Sequence, residues 1–308
     1  MLPLLNPTSQ LILNSINSTQ QDMNRAQSAV SSGLRISQAS DDPQVINDLL
    51  QTRSDIARAT QATTNLTSVQ TEVQTADSVV QQAIAALESA RSLAAQGADT
   101  SLTAQDRANL ATRVQGIIAQ IVSVSRTQVN GVFIFSGDQT NTPPYQTDPN
   151  SPNGVQQLVN APSTRLIQDP TGLTFAASLT AEQLFDVRDT SNNPASGNVF
   201  AALGNLVSAL QANDTTAIEA AATDVTNADQ YLNQQGAFYG EVENRVSTAL
   251  DLAQKFQTQD SQKLSNEQDA DIAAEALQLT QDTTHLQASM AAAAKQPTTS
   301  LFSYLPQG

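Results

Sequence analysis

The sequence predicts a mainly α protein, with long antiparallel helical rods, coiled-coil helices at both termini and a small β-rich head domain inserted between the arms. Three observations carry this. Ile12, Ile16, Thr19, Met23, Ala26 and Val30 step by 4, 3, 4, 3, 4, and Ile272, Ala276, Leu279, Thr283, Leu286 and Met290 repeat the same steps near the other end. Such spacing places side chains on one narrow helical stripe, the seam of a coiled coil. Apolar residues make up 39% of the chain but aromatics only 4%, with no Trp. That balance suits helix–helix seams better than a large single core, because aromatics bury most area per residue. Third, most of the prolines cluster between residues 138 and 198, where the texture becomes rich in Asn, Asp and Thr.

The elements follow in order. Residues 8–32 read as a helix that stops at Gly33, a residue suited to a left-handed cap. Asp42 supplies an N-cap oxygen and Pro43 a first helical position, opening a helix to about Gln96. Its stripe is Leu66, Val69, Val73, Ala76, Val80, Ala83, Leu87, Ala90 and Ala94. A helix of that span is ~80 Å long, hence rod-like. Thr103 with Asp106 resembles a capping box and opens a third helix with Leu110, Val114, Ile117, Ile121 and Val124 inward.

Asn130-Gly131 is a hairpin-turn signal, followed by the strand-like run Val132–Phe135. Further short strands are expected at 155–159, 164–167 and 173–175. Thr180 with Gln183 caps a short helix, and 199–211 and 215–234 read as helices. A last rod is expected from about Ala237 to Lys295, with Val242, Val246, Ala249 and Phe256 inward. The expected organisation is a terminal coiled-coil assembly region (1–35 and 272–308) and a helical rod domain (36–130 and 235–271). The head (131–234) is β-rich over 131–180 and helical over 181–234, and lies far from the paired termini.

Composition excludes several functions. Cys is absent, which removes disulfides, thiolate catalysis and Cys-ligated zinc. The 14 basic and 29 acidic residues give a net charge of −15, a surface that repels phosphate backbones, so no nucleic-acid partner is expected. No apolar run approaches ~18 residues, so no membrane span is expected. The broken apolar start, MLPLLNPTSQLIL, does not read as a cleaved secretory signal. The single histidine, His285, sits beside Leu286 and off the seam, with no partner for a catalytic or metal-binding constellation. Asp41 and Asp42 read as helix capping, and Glu267, Asp269, Asp271 and Glu275 as a solvated face. The Ala291–Ala294 run reads as helix-favouring filler or as a place of close helix packing. No catalytic, cofactor-binding or metal-binding residue is expected.

Ser32-Gly33-Leu34-Arg35-Ile36 followed by Ala39-Ser40-Asp41-Asp42 resembles the turn of the bacterial flagellin superfamily. The likeness runs to Asn130-Gly131-Val132 and resumes from about residue 237 through Asp269-Ala270-Asp271-Ile272-Ala273, covering both arms but not the head. Within the superfamily, Val132–Gly137, the following Thr140-Asn141-Thr142-Pro143-Pro144-Tyr145, and the tail Ser300-Leu301-Phe302-Ser303-Tyr304-Leu305 are similar to the hook-associated, hook–filament junction branch. The Pro-Gln-Gly after Leu305 departs from it.

This resemblance implies a non-enzymatic structural protein of the bacterial flagellum. It would be exported through the type III channel, polymerise, and act as a mechanical adaptor joining hook to filament, outside the cell. Its partners would be copies of itself, a neighbouring hook-associated protein on the hook side, flagellin on the filament side and an export chaperone on the C-terminal helix. The expected subunit-packing residues are Ile12, Ile16, Met23, Ala26, Val30, Ile272, Ala276, Leu279, Leu286, Met290, Leu301, Phe302 and Leu305. A short flagellin, or a coiled-coil binding module, remains as an alternative. Terminal helices with open stripes are marginal alone and gain stability when packing completes the seam.

Overall fold

A computed structural model describes residues 7–160 and 164–295. Seven helices are described: α1 Pro7–Ser32, α2 Ile46–Gly97, α3 Ala104–Ser125, α4 Ala181–Phe185, α5 Val199–Ala212, α6 Thr215–Gln268 and α7 Ile272–Ala294. Six short strands, β1 Gln128–Val129, β2 Val132–Phe133, β3 Tyr145–Thr147, β4 Val155–Gln157, β5 Leu166–Gln168 and β6 Thr174–Ala176, pair antiparallel as three separate hairpins, β1–β2, β3–β4 and β5–β6. The chain divides into two units, Met1–Arg58 with Phe256–Gly308, and Ala59–Lys255.

In the Ala59–Lys255 unit the stripe of α2 lines the core. All nine positions from Leu66 to Ala94 are buried, as are Leu110, Val114, Ile117, Ile121 and Val124 of α3. Opposite them on α6 lie Ile218, Val225, Leu232, Tyr239, Val242 and Val246, all buried. The turn between α2 and α3 is tied by Arg107, itself buried. Its guanidinium donates to the carbonyls of Gly97 (2.8 Å), Asp99 (2.7 Å) and Leu102 (3.3 Å), and to Asn213 Oδ1 (2.5 Å) between α5 and α6. The capping boxes at Thr103–Asp106 and Thr180–Gln183 are both formed.

The hairpins are anchored by the few aromatics. Phe135, Tyr145, Phe185 and Phe200 form one cluster, with centroids 5.0–6.4 Å apart. Asp186 below it is 1% exposed and accepts from the Tyr145 hydroxyl (3.1 Å), Asn198 Nδ2 (2.7 Å) and Arg188 Nη2 (2.9 Å). Burial and the Asp186 charge push the Tyr145 phenol well above its ordinary range. The β5–β6 hairpin lies on helix side chains: Ile167 packs with Leu66, Ala249 and Ala253, Arg245 stacks over the Phe175 ring at 4.5 Å, and Arg165 pairs with Glu72.

Several boundaries differ from the sequence reading. Only Val132–Phe133 of the Val132–Phe135 run is a strand, because Ile134 and Phe135 leave the hairpin to enter the core. β1 and β3 were not expected. Their polar composition (Gln-Val and Tyr-Gln-Thr) gives a weak strand signal. Residues 215–234 and the last rod are not separate, because α6 runs through Gly236 to Gln268. The ~1 kcal/mol helix penalty of a glycine is outweighed there by the burial of Leu232 and Tyr239 on either side. The single rod to Lys295 is instead interrupted at residues 269–271. Phe256 is not inward but 37% exposed.

Candidate assembly site

In the unit formed by the two termini, α1 and α7 pack along each other. The Gly33 carbonyl accepts from Ala270 N at 2.9 Å, joining the C-terminal end of α1 to the N-terminal end of α7, so the pair is antiparallel.

The joint is built from the Ser32–Ile36 turn. Gly33 closes α1 at φ +74°, its N–H bonded to the Ala29 carbonyl at 2.8 Å, and this left-handed backbone is why a glycine sits here. Ser32 Oγ donates to the Ser28 carbonyl (2.8 Å) and accepts from Leu34 N (3.2 Å). Leu34 then forms an antiparallel bridge with Asp269. The carbonyl of Gln268 accepts from both Arg35 N (2.8 Å) and Ile36 N (3.3 Å), and Gln268 Nε2 returns a bond to the Ile36 carbonyl (3.3 Å). Arg35 Nη2 donates to the Glu267 carbonyl at 2.6 Å, and Nη1 lies 3.5 Å from Asp42. The turn thus satisfies carbonyls that α6 leaves open at its end. Asp271 then restarts the helix by accepting from Ala273 N and Ala274 N.

The two adjacent acids act differently from the capping expected of them. Asp41 Oδ2 reaches back to accept from Ser37 N (2.9 Å), Gln38 N (2.8 Å) and Ser37 Oγ (3.1 Å), fixing the loop rather than the helix. The Gln38 and Ser37 amides hold its carboxyl below the ordinary carboxylate range. Asp42 accepts from Gln44 N at 3.3 Å, but α2 begins only at Ile46, its first helical bond running from Leu49 N to the Val45 carbonyl (3.0 Å). Asp271 and Asp269 are equally not a mere solvated face, since Asp271 caps α7 and Asp269 accepts from Ser265 Oγ. Ile36, Ile46, Leu49, Leu50 and Arg53 line a small hollow of about 200 Å³ beside the turn.

Along the helix pair the stripe is only partly covered. Ala26 is buried, and Ile12, Ile16, Met23, Val30, Leu279 and Leu286 are half-buried. Ile272 (53%), Met290 (49%) and Ala276 stay exposed. Flanking the stripe are apolar residues that the heptad reading did not single out: Leu11 is 69% exposed, Leu13 46% and Leu277 60%. Leu11 and Leu13 lie on either side of Ile12, which makes the apolar surface of α1 wider than a two-helix seam requires. Ala291–Ala294 and His285 are exposed. The tail residues Leu301, Phe302 and Leu305 lie outside the described residues. Among the described residues no group of three His, Cys, Asp or Glu is placed to hold a metal ion. No helix of those residues is long and apolar enough to cross a membrane.

Residues 5–140 match the bacterial flagellin N-terminal helical region. The chain is 28% identical over 227 residues to flagellar hook-associated protein 3 of Escherichia coli, spanning 70% of each chain. It is 26% identical over 204 residues to flagellar hook-associated protein 3 of Salmonella typhimurium, covering 65% of this chain and 63% of that one. The fold is shared with flagellar hook associated protein-3 of Legionella pneumophila, at a TM-score of 0.59 and 14% identity over 70% of this chain and 98% of the other. The long helices and short antiparallel hairpins are those of a flagellin-like fold, and the relatives named are structural proteins of the flagellum. Among such proteins the chain is a homologue of the flagellar hook-associated proteins.

Proposed function

We propose that this chain is the mechanical adaptor between hook and filament, and that it works by polymerising through its terminal helices. The observation that carries the reading is the helix pair, which leaves Leu11, Leu13, Ile272, Leu277 and Met290 open to water while its own seam is half-covered. Apolar area of this kind gains about 25 cal/mol per Å² when covered. The natural cover is more helices with the same stripe, which are supplied by copies of this chain. Heterologous contacts of that kind generate rings or helical tubes rather than closed dimers.

The stripe residues Ile12, Ile16, Met23, Ala26, Val30, Ile272, Ala276, Leu279, Leu286 and Met290 form the packing surface in this reading. The tail residues Leu301, Phe302 and Leu305 extend it. A hook-associated protein adjoins the assembly on the hook side and flagellin on the filament side. The chain reaches that place outside the cell by flagellar export, with a chaperone shielding the C-terminal helix beforehand.

The test is a deletion strain. Cells that keep the hook, lose the filament and shed flagellin monomers into the medium support the adaptor. Filaments attached as in the parent overturn it, and a hook that carries a completed junction but no filament assigns the chain to the filament instead.

A further inference from the structure

Four glycines sit inside helices of the Ala59–Lys255 unit: Gly116 in α3, Gly204 in α5, and Gly236 and Gly240 in α6. Glycine is the poorest helix former after proline, so each of these positions calls for a reason. Two have one inside the chain. A Cβ on Gly204 would lie 2.7 Å from Asn153 Cα, and Gly236 is buried where a Cβ would meet Ile84 Cδ1 at 3.6 Å. A Cβ on Gly116 or Gly240 would meet nothing within 4 Å, and both glycines are exposed. Bare backbone on an open helix face admits another helix at close range.

The two open faces differ in charge. From Arg107 to Gly137 the chain has three arginines and no acid. Arg91, Arg165 and Arg188 of this unit pair with Asp229, Glu72 and Asp186, but Arg113, exposed one turn before Gly116, has no ion pair among the described residues. Asp99 and Asp106, which line a hollow with it, are engaged by Ser101 and Thr103. From Asp189 to Asn244, by contrast, there are seven acids and no Lys or Arg. Glu241 follows Gly240 directly and is exposed, whereas the next acid, Glu243, accepts from Gln74 Nε2 at 3.1 Å. Each face thus sets a bare glycine beside an open charge, positive on α3 and negative on α6.

We infer that a second copy of this chain docks on α3, its α6 crossing at Gly240 over Gly116 with Glu241 set against Arg113. The small neighbours Thr112 and Ala119 on one helix and Ala237 on the other leave the backbones free to approach. An exposed ion pair alone contributes little. The packing of the two bare faces therefore carries the contact, and the charges select its register and reject a copy set like against like. The faces on α3 and α6 are different, so the contact is heterologous and each copy offers one of each to its neighbours. It uses no residue of α1 or α7. The inference rests on the polymerisation reading above, not on the place between hook and filament.

Charge reversal tests it in full-length chains produced in cells lacking their own copy, with the amount of chain in isolated flagella as the readout. Arg113→Glu and Glu241→Arg are each expected to lower that amount about tenfold, and the two together in one chain to recover most of it, because like charges meet only in the singles. A double variant no better than the singles overturns the inference, as do singles equal to wild type. Gly116→Ala is expected to raise the melting temperature of the free chain, by helix propensity, and yet to lower its incorporation. A lower melting temperature, or unchanged incorporation, overturns the crossing at that glycine. The chain has no cysteine, so Gln120→Cys in one copy and Ala237→Cys in another are the only thiols it supplies. In flagella that hold both, a short bismaleimide is expected to join them as a dimer. Flagella that hold both chains and give no dimer overturn the inference. A deletion strain with normally attached filaments removes the adaptor reading alone, since the dimer is scored wherever the chain assembles.

Discussion

The guanidinium of Arg35 donates to the main-chain carbonyl of Glu267 at 2.6 Å, across 232 residues of sequence. The bond joins the turn after α1 to the last turn of α6, and so the two ends of the chain become one folded unit. Arg35→Ala is expected to accelerate exchange at Leu34–Ile36 and Asp269–Asp271 several-fold while leaving α3 protected. Arg35→Lys is expected to restore only part of that protection, because a point ammonium cannot reach the carbonyl and Asp42 together. Equal protection in all three chains would remove the joint from the account.

Asp41 predicts a pH dependence with a definite sign. Its carboxyl is held below the unperturbed value of 3.8 by the Gln38 and Ser37 amides. A depressed folded-state value adds stability that is fully present above 3.8 and is lost as pH falls through the lower folded value. Amide resonances of Ser37 and Gln38 are expected to shift below pH 4, and Asp41→Asn to abolish the shift.

In the hairpin-bearing unit, Asp186 is the shared acceptor of three side-chain donors. Asp186→Ala leaves Arg188, Asn198 and the Tyr145 hydroxyl without their acceptor, and the buried location puts the loss at about 3 kcal/mol. Tyr145→Phe removes one of those bonds and is expected to cost about 1 kcal/mol. Urea unfolding measures both, and a larger effect for the tyrosine would reverse the assigned order.

Leu87 and Leu277 separate folding from assembly. Leu87 is 0% exposed, so Leu87→Ala is expected to destabilise the folded chain by about 2–5 kcal/mol. Leu277, 60% exposed, is expected to leave thermal unfolding unchanged when replaced by Ala and to weaken polymerisation. A matched loss of stability in Leu277→Ala would place that side chain in the monomer's own core.

Leu286→Asp sets a charge in the half-buried stripe. The Ala59–Lys255 unit is expected to keep its unfolding transition, and polymerisation, read by sedimentation, is expected to fail.

Periodicity made the helical framework legible because a stripe of threes and fours has one physical meaning at length. Leu66 to Ala94 were assigned inward from spacing alone, and all nine are buried. Turn chemistry was equally readable where one residue type is required: Asn130 and Gly131 take φ 54° and 81°, as the hairpin needs. What stayed hidden depends on partners distant in sequence. Gln268 is a middling helix residue in a polar run, and only the arrival of Arg35 and Ile36 at its carbonyl shows why the helix stops after it. Asp282, 5% exposed, reads as an ordinary surface acid, since a heptad pattern says which positions face a seam and not how far the partner helix shields their flanks. Leu11, Leu13 and Leu277 were passed over for the same reason: a narrow stripe template discards apolar residues beside it.

The aromatic cluster has an optical consequence. Tyr145, Tyr231 and Tyr239 all fall in the Ala59–Lys255 unit, whereas α1 and α7 carry no aromatic residue. The fourth tyrosine, Tyr304, lies outside the described residues, so near-ultraviolet dichroism of this Trp-free chain draws chiefly on the three tyrosines of that unit, and α1 and α7 are silent in it. Far-ultraviolet ellipticity, by contrast, counts every helix. A melt followed at both wavelengths separates the loosening of the terminal pair from collapse of the aromatic core without a label, a probe or a mutation.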